Sequence, residues 1–262
     1  MPVEINADLV PMTQKQFSDV AYEVVGHAFS IHNELGGLFD ETVYRNALAK
    51  RLGNAQIEVK IDVCFDNFHK FYFIDALVSN GAPFELKTAQ SITARHKQQL
   101  MNYLLLAQLG HGKVICFGPE RVKQDFVNAK LTFRDRRCFS VVDEEWSSTA
   151  VFGTDEKTAI VEMLRDWGTG LDRTLYEDGV LHFLGGRKRR LTGVNVYQNG
   201  ICIGSHKMPL CGDATTTHIT TFQDDNEDYQ KQLIRLARAT KMRCVQWINI
   251  ARDTVTFKTL RC

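Results

Sequence analysis

No stretch of this chain is apolar for long enough to form a transmembrane helix, which excludes a helical membrane protein. The first ten residues, MPVEINADLV, carry acids and lack a basic-then-apolar pattern, so no secretory signal is visible and a cytoplasmic location is expected. Charge of one sign is missing as well. Lys and Arg number 32 against 31 Asp and Glu, a formal net charge of +1. No global field therefore draws the protein to nucleic acid or to a membrane surface, and any contact with nucleic acid must be local. The seven cysteines do not cluster: Cys64, Cys116, Cys138, Cys202, Cys211, Cys244 and Cys262 form neither a C-x-x-C pair nor a Cys/His motif. That spacing leaves little room for a zinc or iron–sulfur motif. An odd number without a signal peptide reads as reduced intracellular thiols, mostly small buried hydrophobes.

What is present is ordinary for a globular protein. The 262 residues are 44% hydrophobic and 24% charged, enough for one large domain or two of usual size. Thr13 caps a first predicted helix that runs to about Glu34 and ends at Gly36-Gly37. A second helix is expected over Glu41 to Leu52, strands near 57–65, 71–78 and 83–88, and a third helix from Ala94 to Leu109. Lys113 to Phe117 reads as a short buried strand. Leu131 to Phe133 and Cys138 to Val142 read as a further hairpin.

The second half repeats the first. GGLFDETVYRNALAKRL at 36–52 is echoed by GTGLDRTLYEDGVLHF at 168–183, and KQQLMNYLL at 97–105 by QKQLIRLAR at 230–238. KVICF is echoed by CVQWINI, and Tyr44 and Tyr176 each precede a turn asparagine, Asn67 or Asn199, by 23 positions. Four similar words in one order indicate a duplication. The expected copies are 1–145 and 146–262, with the boundary in the polar stretch Asp143 to Asp155. At this offset Glu41 falls on Arg173, Asp75 on Lys207, Glu85 on Thr217 and Lys87 on Ile219, give or take one or two positions. The second copy thus lacks the charged set of the first and is expected to be a non-catalytic partner.

That charged set lies in FYFIDALVSNGAPFELK, residues 71–87. Two carboxylates and an amine are costly to bury without partners, yet Asp75, Glu85 and Lys87 sit in strands that are apolar on both faces. A divalent metal between the carboxylates, with the lysine beside it, reconciles these facts. A cross-strand salt bridge on a solvated face is the plainer alternative. Glu85 and Lys87 share a strand face. A two-residue Asn80-Gly81 turn would send Asp75 to the other face. A three-residue turn, Ser79-Asn80-Gly81, with Gly81 left-handed, would place it opposite Glu85. The latter is expected. Glu41 shares a helix face with Tyr44, Leu48 and Leu52, and either points inward or simply serves the helix dipole with Asp40 as cap. Gln99 and Tyr103 stand one turn apart on the third helix.

The words ELGGLFDETVY, YFIDALVSNGAPFELK, HKQQLMNYL and VICFG together resemble the GxxExxY family of the PD-(D/E)XK nuclease-like superfamily, over roughly residues 17–120. Leu38 stands where the family has its named glycine, and Ile74 where a proline often precedes the aspartate. With the repeat, the resemblance implies a fold of two tandem restriction-endonuclease-like α/β copies, each a small mixed sheet flanked by helices. It implies a metal-dependent nuclease acting on DNA or RNA, with Mg²⁺ or Mn²⁺ held by Asp75, Glu85 and the main-chain carbonyl near Leu86. Glu41 would complete the acidic cluster, Lys87 would position or activate water, and Gln99 and Tyr103 would support the metal shell and the phosphate. The other reading is a non-catalytic module of the same fold that binds nucleic acid or protein. The basic run Arg187 to Arg190 in the second copy is either a phosphate grip or a solvated loop. The copies would pair as a pseudo-dimer within one chain, or between chains of a homo-oligomer.

Overall fold

A computed structural model describes residues 3–147, 150–151, 154–183, 185–186, 191–212, 214–224 and 226–262. The Arg187–Arg190 run lies outside the described residues. The chain divides into two compact units, Met1–Phe133 and Arg134–Cys262. Its architecture is mixed α/β: two six-stranded mixed sheets, each flanked by helices, consistent with two tandem PD-(D/E)XK-like copies.

In the first unit the order is β1 (Val3–Ile5), α1 (Gln14–Leu35), α2 (Glu41–Leu52), β2 (Ala55–Phe65), β3 (Phe68–Val78), β4 (Ala82–Lys87), α3 (Ala94–Ala107), β5 (His111–Cys116) and β6 (Lys123–Asn128). The sheet runs β1-β2-β3-β4-β5-β6. Every pair is antiparallel except β4 with β5, which are joined through α3. Thr13 caps α1 with a reciprocal box to Gln16, which satisfies two orphan amides. Phe17, Ala21, Val24, Ala28 and Ile31 form one stripe of α1 and pack with Tyr44 and Leu48 of α2 over Phe84, Leu86 and Ile115 of the sheet and Phe117 just past β5.

The second unit contains α4 (Phe133–Arg137, from the unit boundary), β7 (Ser140–Glu144), β8 (Ala150–Val151), β9 (Thr154–Asp155), α5 (Glu156–Trp167) and α6 (Arg173–Phe183). These are followed by β10 (Leu191–Gln198), β11 (Ile201–Gly212), β12 (Thr215–Thr220), α7 (Glu227–Thr240), β13 (Cys244–Ile250) and β14 (Thr254–Arg261). Its large sheet runs β10-β11-β12-β13-β14-β7, again with a parallel pair, β12 with β13, joined through a helix. The expected hairpin at 131–142 does not form. Phe133–Arg137 is a short helix, and β7 pairs in parallel with β14. β7 therefore belongs with the second sheet, ahead of the boundary expected between 143 and 155.

The two units share details finer than topology. The Tyr44 hydroxyl donates to the Gly36 carbonyl at 2.7 Å and accepts from the Phe39 amide at 3.1 Å. The Tyr176 hydroxyl does the same with Gly168 at 2.7 Å and Leu171 at 3.0 Å. Helices α3 and α7 both end in a left-handed residue, Gln108 and Lys241, whose amides return to Leu104 and Ala237. In each unit the parallel strand then starts three residues later.

Candidate metal centre

The β3–β4 turn has three residues, since Val78 pairs with Ala82, Leu77 with Pro83 and Ala76 with Phe84. The left-handed residues are Ser79 and Asn80, at φ 48° and 57°, and not Gly81 as the sequence suggested. Gly81 is needed for a different reason: a Cβ there would lie 2.1 Å from the Val10 carbonyl oxygen. The N-terminal segment presses on the turn, and the Val10 amide donates to the Asn80 carbonyl at 2.8 Å.

Beyond Ala76 the β3–β4 ladder stops. The Asp75 carboxylate takes the place of a backbone acceptor and receives the Leu86 amide at 2.8 Å. On the other side of β3, Glu58 is left-handed (φ 51°), and the β2–β3 pairing skips the Glu58/Asp75 position. Both neighbouring ladders thus release the backbone at Asp75. Its side chain is left to swing toward β4.

Glu41 arrives from α2. Gly36-Gly37 ends α1 and turns the chain. Gly37 lies so close to the end of β5 that a Cβ would be 2.6 Å from the Phe117 carbonyl oxygen. Tyr44 stacks on Phe117 at 4.4 Å and pins the 36–39 loop through its hydroxyl, so the first turn of α2 is held against the strand ends. Asp40 occupies the N-cap position without a side-chain hydrogen bond.

These elements meet at the Lys87 ammonium. Lys87 Nζ lies 2.6 Å from Glu85 Oε1, 3.5 Å from Glu41 Oε2 and 3.9 Å from Asp75 Oδ2. It donates to the Leu86 carbonyl at 2.8 Å. Glu85 is 1% exposed, and its Oε2 meets no hydrogen-bond donor among the described residues. Burial, and then the Asp75 carboxylate, push the Glu85 pKa up to about 8, against the opposing pull of Lys87. Burial and Asp75 also raise Glu41. Burial works against the charge on Lys87, but Glu85, Asp75 and Glu41 outweigh it and raise its pKa. Burial and the neighbouring acids thus favour an extra proton on the cluster, and the same acids favour the charged form of the ammonium.

Arg45, which the sequence reading missed, sits one turn after Glu41 on the same face of α2. Its Nη1 lies 3.5 Å from Asp75 Oδ1 and its Nη2 2.8 Å from Glu58 Oε1. The i, i+4 spacing from Glu41 was the available signal. Gln99 and Tyr103 form a pair of their own: Gln99 Nε2 donates to the Tyr103 hydroxyl at 2.9 Å, and the Tyr103 ring lies 5.9 Å from that of Tyr72. The Gln99 bond goes to Tyr103 and not to a carboxylate. His96 closes a capping box with Thr93 at the start of α3. Lys97 pairs with Asp125, and Lys70 lies over Tyr72.

The cluster fits a hard divalent cation on the chemistry of its donors. Glu41, Asp75, Glu85 and the Leu86 carbonyl offer only oxygen, and a buried carboxylate oxygen without a donor is an unmet demand for positive charge. The three acids converge on the ammonium rather than on one another. Among the described residues, the one His/Cys/Asp/Glu trio with ligand atoms mutually within 4.8 Å is elsewhere, at Asp62, Cys64 and His69.

In the second unit, strand register assigns the matching positions. Glu85 pairs with Val114, the fourth residue of β5, and His218 pairs with Trp247, the fourth of β13. His218 thus stands where Glu85 does, and Thr220 where Lys87 does, one position on from the offset drawn from sequence. Arg173 and Glu177, matching Glu41 and Arg45, form an ion pair at 2.9 Å with the charges exchanged.

Residues 18–129 match the family model described as the PD-(D/E)XK nuclease superfamily, so the first unit carries a nuclease-like fold. Nucleases of that superfamily generally use divalent metals. No curated protein matches the chain. A solved structure titled "Crystal structure of SSO0001" is similar at 22% identity and a TM-score of 0.29, over 45% of this chain and 60% of that one. The chain thus spans about 60% of that protein's length.

Proposed function

We propose that the first unit is a metal-dependent nuclease that hydrolyses phosphodiester bonds of DNA or RNA, and that the second is a non-catalytic copy of it. The observation that carries this reading is the cage of three carboxylates and one carbonyl around the Lys87 ammonium. Such a cage is built for a cation. Glu41, Asp75, Glu85 and the Leu86 carbonyl would hold Mg²⁺ or Mn²⁺. An ion there lowers the pKa of bound water and neutralises charge that develops on phosphate.

The chain's own residues supply the rest. Arg45, anchored by Glu58, holds Asp75 in place. A divalent charge in the cage would favour the ionised form of Glu85, whose pKa burial and Asp75 raise in its absence. Lys87 would donate a hydrogen bond to the attacking water or to a phosphoryl oxygen and so steady the nucleophile. Gln99 and Tyr103 present an amide and a phenol from α3, groups suited to a phosphate oxygen. In the second unit Arg173, His218 and Thr220 stand at positions that supply carboxylates and an amine in the first, which supports its lack of catalysis.

The test is cleavage of single- and double-stranded DNA and RNA with Mn²⁺ or Mg²⁺. Cleavage that Glu85→Ala and Lys87→Ala abolish is the expected result. One observation favours a second reading, a module that binds nucleic acid or protein without cutting: the ammonium already compensates the acids. Tight nucleic-acid binding with no metal-dependent cleavage of any substrate would establish that reading instead.

A further inference from the structure

The β2–β3 hairpin carries a second set of ligating atoms with a different chemistry. Its turn is the pair Asp66-Asn67, closed by Phe65 opposite Phe68. Cys64 stands directly opposite His69, and Asp62 lies two residues before Cys64 on the same strand. Directly opposed residues and residues two apart share a sheet face, so the three side chains project to one side. Their ligand atoms all lie within 4.8 Å of one another, and His69 Nδ1 is 3.1 Å from Asp62 Oδ1. Asp62 and Cys64 are half-buried and His69 is exposed, so the group is open to solvent but backed by the ladder.

We infer that Asp62, Cys64 and His69 form a zinc site. Zinc–ligand bonds of about 2.0–2.3 Å in a tetrahedron place ligand atoms about 3.3–3.8 Å apart. The His69–Asp62 pair is already near that spacing, and the Cys64 thiol, within 4.8 Å of both, closes the triangle by a small side-chain rotation. Thiolate, imidazole and carboxylate together select a borderline ion over Mg²⁺. The oxygen-only cluster at Glu41, Asp75 and Glu85 has the opposite preference, so the two sites sort different ions. Three protein ligands leave a fourth position for water or another donor. The Lys60 ammonium, 3.7 Å from Asp62 Oδ2, limits affinity by competing for that carboxylate. Sequence spacing hides the site because the ligands come from opposite strands.

The plainer account is an Asp62–His69 hydrogen bond with Cys64 outside it, and cobalt distinguishes the two. The metal-free full chain is titrated with Co²⁺. The expected result is a near-ultraviolet thiolate-to-cobalt charge-transfer band that saturates at about one equivalent and is displaced by Zn²⁺. Cys64→Ser removes the band, and His69→Ala weakens Co²⁺ binding by at least about tenfold. A wild-type chain without the band, or a band that survives Cys64→Ser, overturns the inference. A measurement that needs no variant runs beside it: Zn²⁺ should slow alkylation of Cys64 by iodoacetamide, read by peptide mass spectrometry, and Mg²⁺ should not. Equal alkylation with and without Zn²⁺ likewise overturns it.

Discussion

Replacing Glu85 with glutamine should stabilise the metal-free first unit, and should do so only at higher pH. Glu85 is pushed from 4.5 to about 8 by burial and by Asp75, so the folded state holds its proton more tightly than the unfolded chain does. Stability is then greatest below the unfolded pKa and is lost as pH rises toward the folded value. Each pH unit between 4.5 and 8 weakens the fold by about 1.4 kcal/mol through this one group. The loss is about 3 kcal/mol at pH 7 and about 5 kcal/mol above pH 8. Glutamine keeps the shape and has no proton to lose, so its stability should be flat over that window from this source.

The assay is urea unfolding with EDTA present, from pH 5 to pH 8.5, followed by circular dichroism. All three tryptophans, Trp146, Trp167 and Trp247, are in the second unit. Tryptophan fluorescence therefore reports that unit alone and serves as an internal control that Glu85→Gln should not move. A wild-type first-unit transition that strengthens with pH, or a Glu85→Gln effect of equal size at pH 5 and pH 8.5, would refute the reasoning.

The fluorescence transition should carry the opposite slope. Burial, then Arg173 and His206, hold His218 down to about 4, so the second unit should lose stability as pH falls from 6.5 toward 4, by about 3 kcal/mol, and His218→Gln should abolish that slope. Lys87→Ala should bind Mn²⁺ more tightly than wild type in calorimetric titration, because the ammonium no longer fills the cage, while cleavage is lost; weaker binding would count against the shared position. Arg45→Met should cost about 1–3 kcal/mol in EDTA and less in saturating Mn²⁺, since a bound ion compensates Asp75 in its place. Tyr44→Phe should cost about 1–3 kcal/mol by orphaning the Gly36 carbonyl and the Phe39 amide, and Tyr176→Phe should cost the second unit a similar amount.

The helices and central strands of the first unit were legible because their signals are local. Thr13 with Gln16, Glu41 to Leu52 and the apolar run at 113–117 each declare their structure by capping, periodicity or composition. β1 and β6 were not, since three apolar-polar residues at an edge, or KQDFVN, are stabilised only by the neighbour they pair with. The hairpin expected at 131–142 failed for a related reason. The apolar residues of 140–144 find their partner in β14, more than a hundred positions away, and no local pattern announces that. Within the candidate site, Asp75, Glu85 and Lys87 stood out because charge in an apolar strand is conspicuous. Arg45 did not, because a charged residue on a helix is the common case, and its meaning lies in Glu58 and Asp75 across the chain.

Gly81 shows how a correct turn length can rest on the wrong cause. The left-handed backbone is carried by Ser79 and Asn80, while glycine is required by the Val10 carbonyl, approaching from a segment about seventy residues earlier in the sequence. The same distinction between frame and chemistry runs through both units. The tyrosine that pins the loop before α2 recurs before α6, and the left-handed cap that aims β5 recurs before β13. These bonds hold elements in position and are indifferent to what the strand ends carry. The side chains at the strand ends differ completely: Glu41, Glu85 and Lys87 against Arg173, His218 and Thr220. A frame whose positioning bonds lie outside the site keeps its shape whichever side chains the strand ends carry. The two sets differ in cost, because a buried carboxylate near pKa 8 is a liability that His218, neutral above pH 6.5, does not impose. On that argument the carboxylate at position 85 carries a stability cost in the metal-free first unit, and the cation proposed for the cage is what would offset it.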